Sequence, residues 1–353
     1  MALKRSTLSR RTIPFLLAGI LIFILYLYFL VGVENVISCL QRVSPFYYSL
    51  AFGAVLATMV FYSLTWQYLL NLLSIKISFR KIFLFVWVGT FIDILIPAES
   101  ISSELSKVYM VHESVGADTG KVVASDVSHR ILSWFITLGG LIGGTVFLFL
   151  GYEVPPLVAN FLIVVIVGTS TALVLLSYLC FRTQTTWKII EWILNLFESI
   201  LRGHLQLTNL KTRAQKMFMM FHQGMETLRK HLRDLALPII FSIGAWIFDI
   251  LASFLVFVSL GFFVSVIVVI IVYAISMAVQ HFPLGVPSEV GLTEIVMSSL
   301  YSTLLAGQLG EQYLAISASA TLLIRILTVW VRFVVGYILF VKWVGTKFLA
   351  RLL

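Results

Sequence analysis

Charged residues are scarce in this sequence. Asp, Glu, Lys and Arg together make up only 12% of its 353 residues, whereas 60% are hydrophobic and the mean hydropathy is +1.01. A soluble globular domain carries about 25% charged residues, because polar side chains must cover its surface. The composition therefore excludes an ordinary soluble domain and predicts a polytopic membrane protein.

Cysteine is almost absent as well. Only Cys39 and Cys180 occur, and the topology derived below places them on opposite sides of the membrane, which excludes a disulfide framework. The sequence also lacks a Walker phosphate loop, a dinucleotide fingerprint, an HExxH sequence and a paired-cysteine metal motif. The serines near position 100 have no histidine base close to them in sequence. We therefore expect no cofactor, no metal site and no ATP-driven step.

Long apolar segments are what the sequence has instead. A helix needs about 20 apolar residues to cross roughly 30 Å of hydrocarbon, and six segments meet this length. Two further apolar stretches, 82–96 and 263–282, are ambiguous, since the first is too short to span and the second is long enough. The six predicted spans lie near 13–33, 46–73, 127–150, 157–181, 237–260 and 313–341.

The basic residues predict the orientation of these spans. They cluster at the N-terminus, at 76–81, at 182–235 and at 342–351, and the positive-inside rule puts all four clusters in the cytoplasm. Orientation thus accounts for the net charge of +9 without nucleic acid as a partner. The first apolar run is too long for a signal-peptide core and lacks a small-residue cleavage site. We expect a multi-pass protein of the cell membrane with a retained first span and both termini cytoplasmic.

Both ambiguous stretches are predicted to form re-entrant helical hairpins. A full crossing at only one of them would invert the charge bias of every later loop. Hairpins over 82–112 and 263–306, with turns at Pro97 and near Pro287 and Gly291, preserve that bias. Paired full crossings, giving eight spans, would preserve it too and remain open.

The predicted fold is therefore an all-α polytopic membrane protein with six spanning helices and two re-entrant hairpins, or eight membrane segments by hydropathy. The repeats 1–150 and 151–353 each contain two spans, a hairpin and a further span, in opposite orientations. Because non-helical backbone at membrane depth must be covered by protein or line a water-filled cavity, we expect the hairpins to face each other across an interior pocket.

The segment 182–235 interrupts the second repeat. Its first part has one apolar helical face and its second part an apolar heptad stripe, both bordered by basic residues. These patterns are typical of helices at a membrane interface. An amphipathic linker on the bundle and on anionic headgroups is the simpler interpretation, and a partner-binding segment is the alternative. The stripe consists of Ala214, Phe218, Phe221, Met225, Leu228, Leu232 and Leu235.

A short motif occurs twice at the hairpins. The segments 97–104 and 287–294 share Pro, then Glu two residues later, and a final Glu, and their starts are 190 positions apart (287 minus 97). Each is followed by Arg-Ile-Leu, beginning at Arg130 and at Arg325. Interrupted apolar segments at matching places in two halves point to a transport site near the midplane of the bilayer.

The repeated charges are predicted to pair as Glu104 with Arg130 and Glu294 with Arg325. A charge at the centre of a bilayer costs roughly 2.5–3.5 kcal/mol on insertion scales, so unpaired charges would be hard to retain. Each pair is either a structural salt bridge or a site where arginine binds a lipid phosphate through its bidentate fork. In the second case the glutamates orient the arginines or bind a cationic headgroup or a proton.

Other polar residues near the hairpins complete the candidate set. Glu99 and Glu289 are either solvated carboxylates or proton-coupling groups. Lys107 is a second phosphate contact or, on the favoured interpretation, a snorkelling lysine at the membrane rim. Asp126 and His129 are expected to be capping and interfacial residues rather than relay groups.

Two aspartates lie inside apolar stretches, Asp93 and Asp249. We expect each to cap a helix or pair locally, and a role in transport is the alternative.

At these residues the chain resembles the flippase-like membrane family that includes the transmembrane part of lysylphosphatidylglycerol synthase. That family shows Pro followed by Gly-Gly-Glu and a basic residue three positions on, then Pro-Gly-Gly-x-Gly ending in Glu, each copy followed by an Arg-bearing helix. The matches here are Pro97 with 102–104 and Lys107, and 287–291 with Glu294. Serines replace the first glycine pair and Ser-Glu replaces the second. The resemblance extends over residues 10–345.

The resemblance implies lipid handling. The soluble aminoacyl-transferring domain of the synthase has no counterpart here, so we expect no synthesis of that lipid. Our leading hypothesis is a lipid translocator of alternating-access type, whose cargo is a membrane phospholipid or a polyprenyl-phosphate-linked lipid. The alternatives are a membrane-embedded enzyme or accessory subunit acting on lipid-linked sugars or phospholipids, and a non-catalytic assembly factor.

Overall fold

A computed structural model of the chain describes residues 21, 24–95, 101–151, 154–200, 208–280 and 290–352, and every regular element in these ranges is helical. Thirteen α-helices are joined by π-helical turns at Leu27–Val31 and Ile326–Val331 and by 3-10 turns at Leu232–Leu235 and Gly310–Gln312. The α-helices are α1 Val33–Leu40, α2 Pro45–Leu72, α3 Phe79–Leu95, α4 Ile101–Val115, α5 Thr119–Gly151, α6 Pro156–Phe181, α7 Thr183–Ile200, α8 Thr208–Lys230, α9 Ala236–Ser259, α10 Val266–Gln280, α11 Leu292–Leu309, α12 Tyr313–Arg325 and α13 Arg332–Leu352.

Five helical runs in the described ranges are long and apolar enough to cross a membrane. Four of them contain the predicted spans near 46–73, 127–150, 157–181 and 237–260. The first predicted span, 13–33, lies largely outside the described residues. The chain is thus a multi-pass membrane protein, and the runs are Pro45–Leu72, Thr119–Gly151, Pro156–Phe181, Leu232–Ser259 and Leu292–Trp343.

The last of these runs is not one straight helix. Gly310 has a φ of +67° and ends α11, and the 3-10 turn beside it folds α12 back against α11. A positive φ is easily adopted by glycine, which has no Cβ to clash with the backbone. The predicted span 313–341 therefore begins after a hairpin turn, and it is divided into α12 and α13 by the π-helical turn.

Four short helices occupy the two predicted hairpins. Helices α3 and α4 contain 17 and 15 residues and pack against each other, and α10 and α11 contain 15 and 18 residues and do the same. At 1.5 Å per residue they are roughly 22–27 Å long, somewhat shorter than the hydrocarbon core of a bilayer. The turn prolines Pro97 and Pro287 lie outside the described residues, and the re-entrant path stays a prediction.

The two halves pack reciprocally. The most extensive packing among the described helices is between α2 and α9. Helix α3 of the first half lies against α13 of the second, and α10 of the second half lies against α5 of the first. The first short helix of each half therefore packs against the last helix of the other half.

Two apolar cores form inside this bundle. One surrounds α10, α11 and α12 and includes Phe257 and Tyr301, and the other surrounds α3, α4 and the start of α5 and includes Trp66 and Trp87. Helix α2 contributes its first half to one core and its second half to the other. Each predicted hairpin thus has its own apolar surroundings, with α2 common to both.

The predicted insertion 182–235 consists mainly of α7 and α8. Phe218, Met225 and Leu228 of the heptad stripe are buried, and α8 packs closely on α5. Leu232 is exposed, because α8 ends at Lys230 and the stripe does not continue through the 3-10 turn.

Candidate functional site

Charged side chains between the helices of the bundle form ion pairs. Three groups of them lie in the described structure: one between α4 and α5, one between α11 and α12, and one joining α9, α10 and α13. Pairing removes much of the cost of placing a charge at membrane depth.

The first group contains the predicted pair of Glu104 and Arg130. Glu104 lies in the first turn of α4, and its Oε1 accepts from Arg130 Nη2 of α5 at 2.5 Å. Each side chain is 24% exposed, so the pair is partly open. An arginine has five N–H donors, and one contact to a carboxylate leaves donors for a further acceptor.

A second ion pair lies one turn along the same interface. Lys107 Nζ donates to Asp126 Oδ1 at 2.5 Å, and the side chains are only 4% and 3% exposed. Lys107 Nζ also lies 5.1 Å from the Trp66 ring centroid and 5.9 Å from that of Tyr62. Residues three and four apart share a helix face, so both pairs lie side by side between α4 and α5.

This arrangement corrects two interpretations from the sequence. Lys107 is not a snorkelling rim lysine, because aromatic rings of α2 enclose its ammonium group. Asp126 and His129 are not capping or interfacial residues. His129 is 1% exposed and its ring centroid lies 4.0 Å from that of Tyr62.

Two buried polar atoms beside these pairs have no hydrogen-bond partner among the described residues. They are Asp126 Oδ2 and His129 Nδ1. Buried polar atoms are normally satisfied, and an exception points to strain, a functional role or an absent ligand or water.

The second predicted pair, Glu294 with Arg325, is closed. Arg325 Nε donates to Glu294 Oε1 at 2.6 Å, and the side chains are 5% and 6% exposed. Glu294 Oε2 also accepts from the backbone N–H of Gly291 at 2.6 Å. Glu294 therefore caps α11 at its positive end while it holds Arg325. Gly291, predicted as a turn residue, has a φ of +97°.

Buried hydroxyl groups accompany this second pair. Ser317 and Thr321 precede Arg325 by two turns and one turn of α12, so the three side chains share one helix face. Within the described part of the chain, four buried hydroxyls in α11 and α12 have no hydrogen-bond partner. They belong to Thr293, Tyr301, Ser317 and Thr321.

The third group was missed by sequence reasoning. Arg332 Nη2 donates to Asp249 Oδ1 at 3.2 Å, and Tyr273 OH donates to Oδ2 at 3.0 Å. The expectation that Asp249 pairs locally is wrong, since the partners come from α13 and α10. The available signal was Arg332 itself, a second arginine inside the predicted span 313–341.

Asp93 does pair locally, accepting from Ser102 Oγ at 3.0 Å.

The remaining predicted site residues, Glu99 and Glu289, lie outside the described residues.

Each glutamate of the two predicted pairs meets its own arginine, but the pairs belong to different apolar cores. Helix α2 passes both, since Tyr62 lies beside the first pair and Tyr48 OH donates to the carbonyl of Leu323 at 3.2 Å near the second. A common hydrated chamber between the pairs stays a prediction.

Comparison with known proteins places the chain in a family. Residues 16–336 match the family model described as the lysylphosphatidylglycerol synthase TM region. A UPF0104 membrane protein of Pyrococcus horikoshii is 25% identical over 328 residues, covering 90% of this chain and 93% of the relative. A UPF0104 membrane protein of Methanocaldococcus jannaschii is 25% identical over 324 residues, covering 90% of each chain. One from Methanothermobacter thermautotrophicus is 20% identical over 298 residues, covering 83% of this chain and 84% of the relative. The chain therefore belongs to the family of the lysylphosphatidylglycerol synthase transmembrane region, to which the UPF0104 membrane proteins are related.

Proposed function

We propose that this protein moves a phosphate-bearing lipid between the leaflets of the cell membrane by alternating access. The observation that carries the proposal is the partly open pair of Glu104 and Arg130 between α4 and α5. The headgroup enters at this pair while the acyl or isoprenoid tails stay in the bilayer. Substrate contacts are assigned to Arg130 and Arg325, with the acidic partners Glu104 and Glu294, and to Lys107, Glu99 and Glu289.

The geometry of the first pair suits a phosphate. A guanidinium group binds phosphate through two parallel N–H donors, and the Arg130 side chain is partly exposed rather than enclosed by neighbouring helices. Lys107 is paired with Asp126, so it contributes a fixed positive charge close to the headgroup, and its ammonium group has further N–H donors for the phosphate. Glu104 competes with the phosphate for Arg130 and makes release reversible.

An inverted repeat is supported by the reciprocal packing of the halves. A two-fold relation requires that if one element contacts a second, their equivalents do so too. The contacts of α3 with α13 and of α10 with α5 satisfy this condition. The unequal exposure of the two Glu–Arg pairs fits a state in which one pair is open and the other sealed. In the proposed orientation both termini lie in the cytoplasm, as the basic clusters predict.

Reconstitution tests the proposal. Purified protein in liposomes containing a fluorescent phosphatidylglycerol should speed exchange of the reporter between leaflets, measured by chemical quenching of the outer leaflet. Arg130→Ala and Arg325→Ala should each reduce the rate, because phosphate loses its bidentate partner. Arg233→Ala, at an exposed position of the 3-10 turn before α9, is the matched control.

The same variants separate a transport site from structural salt bridges. Thermal unfolding in detergent is measured alongside exchange. If both arginine variants unfold at lower temperature while folded protein exchanges lipid at the unaltered rate, the pairs are structural and the assigned site is wrong.

An accessory role in lipid synthesis is the second candidate. It is favoured by the family description, which names a region of a lipid synthase. Mass spectrometry of lipids that copurify with the protein distinguishes a transported phospholipid from a lipid-linked sugar.

A further inference from the structure

A buried histidine precedes Arg130 of the open ion pair on α5, and neither ion pair uses it. Asp126 shares a helix face with His129 at i+3 and with Arg130 at i+4, and these side chains reach Lys107 and Glu104 of α4 and Tyr62 of α2. The His129 ring lies against Tyr62 and its Nδ1 has no partner among the described residues. A neutral imidazole always keeps one ring nitrogen as an acceptor.

The ionisable groups around His129 come from four helices. Tyr62 faces it from α2, Lys107 and Glu104 lie on α4, and Asp126 and Arg130 lie on its own helix. The fourth helix, α3, supplies Asp93. Its carboxylate accepts from Ser102 of α4, and its negative charge repels that of Glu104.

The charges of these two ion pairs balance. Lys107 and Arg130 carry two positive charges, and Asp126 and Glu104 carry two negative ones. A phosphate diester bound to Arg130 would add one negative charge to this balanced cluster. Uncompensated charge is costly at membrane depth, so binding of the phosphate favours uptake of one positive charge nearby.

We propose that His129 takes up a proton when a lipid phosphate binds at Arg130, so that headgroup and proton are carried together. The proton comes from water that reaches the partly exposed Glu104, and it adds to the free ring nitrogen to give imidazolium. Imidazole suits this role because its ring nitrogen can accept a proton without breaking either ion pair. Asp126 stays ionised because Lys107 holds it. The inference rests on the proposed function, since it assigns the coupling ion of the same site.

Calorimetry of the full chain in detergent tests this coupling. Short-chain phosphatidylglycerol is titrated at neutral pH in buffers that differ in ionisation enthalpy, and the dependence of the heat on the buffer gives the protons taken up. We expect about one proton per bound lipid in the wild type, as linkage requires when a group gains a proton on binding. His129→Gln should still bind the lipid, more weakly and with almost no proton uptake.

Two further variants keep the result interpretable. His129→Phe keeps an aromatic ring against Tyr62, so it serves if His129→Gln does not fold, and it should also abolish uptake. His231→Gln changes an exposed histidine between α8 and the 3-10 turn and should leave uptake at the wild-type value.

The outcomes separate this inference from the proposed function. Lipid binding without proton uptake in the wild type, or unaltered uptake in both His129 variants, overturns the coupling and leaves the lipid site intact. Dimethyl phosphate, a soluble phosphate diester that does not titrate near neutral pH, forms a third arm. If it displaces the lipid at equal concentration with the same proton uptake, the ligand is a free phosphate ester and the lipid function fails while the proton site stands. If no phosphatidylglycerol binds at all, both are wrong.

Discussion

At the scale of single residues, the ion pairs between the helices differ in how far neighbouring side chains enclose them. The pair of Glu104 and Arg130 is partly open, whereas Lys107 with Asp126 lies almost completely out of solvent. A buried pair is costly to break, because removing one partner leaves an uncompensated charge in a medium of low dielectric constant. The open pair can exchange partners at much lower cost.

Lys107→Met should therefore lower the free energy of unfolding by about 3–5 kcal/mol, the range for a buried pair that loses one partner. Lys107→Met combined with Asp126→Leu should recover most of this loss, since neither charge remains. Glu226→Ala breaks an exposed pair with Arg229 on α8 and should cost only about 0–1 kcal/mol. Unfolding in detergent, followed by tryptophan fluorescence, gives the three values. A loss for Lys107→Met no greater than that for Glu226→Ala would show that water reaches Lys107.

The sequence allowed the two Glu–Arg pairs to be predicted because the motif is repeated and unpaired charges at membrane depth are costly. It did not reveal the depth of Lys107, since a lysine three residues after a glutamate also fits a membrane rim. Only the folded structure shows that the Lys107 side chain reaches Tyr62 and Trp66 of α2. Arg332 was missed because it has no counterpart in the repeat.

At the scale of helices, close contacts occur where glycine lets two backbones approach. A Cβ added to Gly336 of α13 would lie 2.6 Å from Phe91 Cβ and 2.7 Å from the backbone oxygen of Trp87, both in α3. Small residues at such crossings are typical of membrane helix pairs. At the reciprocal crossing, a Cβ on Gly144 of α5 would lie 3.2 Å from a side-chain atom of Ile271 in α10.

Gly336→Ala is therefore expected to destabilise the fold by about 1–3 kcal/mol, as overpacking does when backbone atoms cannot yield. Gly53→Ala is the matched control, because nothing lies within 4 Å of its added Cβ and alanine favours a helix by roughly 0.8–1 kcal/mol over glycine. Thermal unfolding in one detergent should rank Gly53→Ala at or above the wild type and Gly336→Ala below it. Equal transitions for Gly336→Ala and the wild type would mean that α3 and α13 are not in contact.

Helix limits also show where hydropathy fails. The helix that contains the predicted span 127–150 begins at Thr119 in the structure. Hydropathy misses its first two turns because Lys121, Ser125 and Asp126 are polar, although these residues are helical. Packing of α8 against Gly120 and pairing of Asp126 with Lys107 stabilise this polar turn. The early start places His129 inside the bundle, which is why its interfacial interpretation fails.

At the scale of the whole molecule, two similar Glu–Arg pairs, each with its glutamate in a predicted hairpin, lie in different environments. Reciprocal packing around α2 and α9 relates the halves, yet one Glu–Arg pair is partly open and its counterpart is sealed. In an alternating-access transporter such inequality is the signature of one state, and the other state exchanges the two environments. The inverted repeat stays a prediction from the sequence, which could not show which pair is more exposed.

Thiol labelling tests this exchange of environments. Ser103→Cys and Thr293→Cys each place a thiol one residue before the glutamate of a pair, and the native Cys39 and Cys180 are buried, which keeps the background low. In detergent without added phospholipid, a membrane-impermeant maleimide should modify the first variant faster, because Ser103 is half-buried and Thr293 is fully buried. Phosphatidylglycerol should raise the rate for Thr293→Cys and lower it for Ser103→Cys, since turnover populates the state in which the second pair is open.

Gly53→Cys, on the exposed face of α2 and outside both hairpins, serves as the control whose rate should not respond to the lipid. Parallel changes at both test positions would indicate general loosening, and the two pairs would then not alternate.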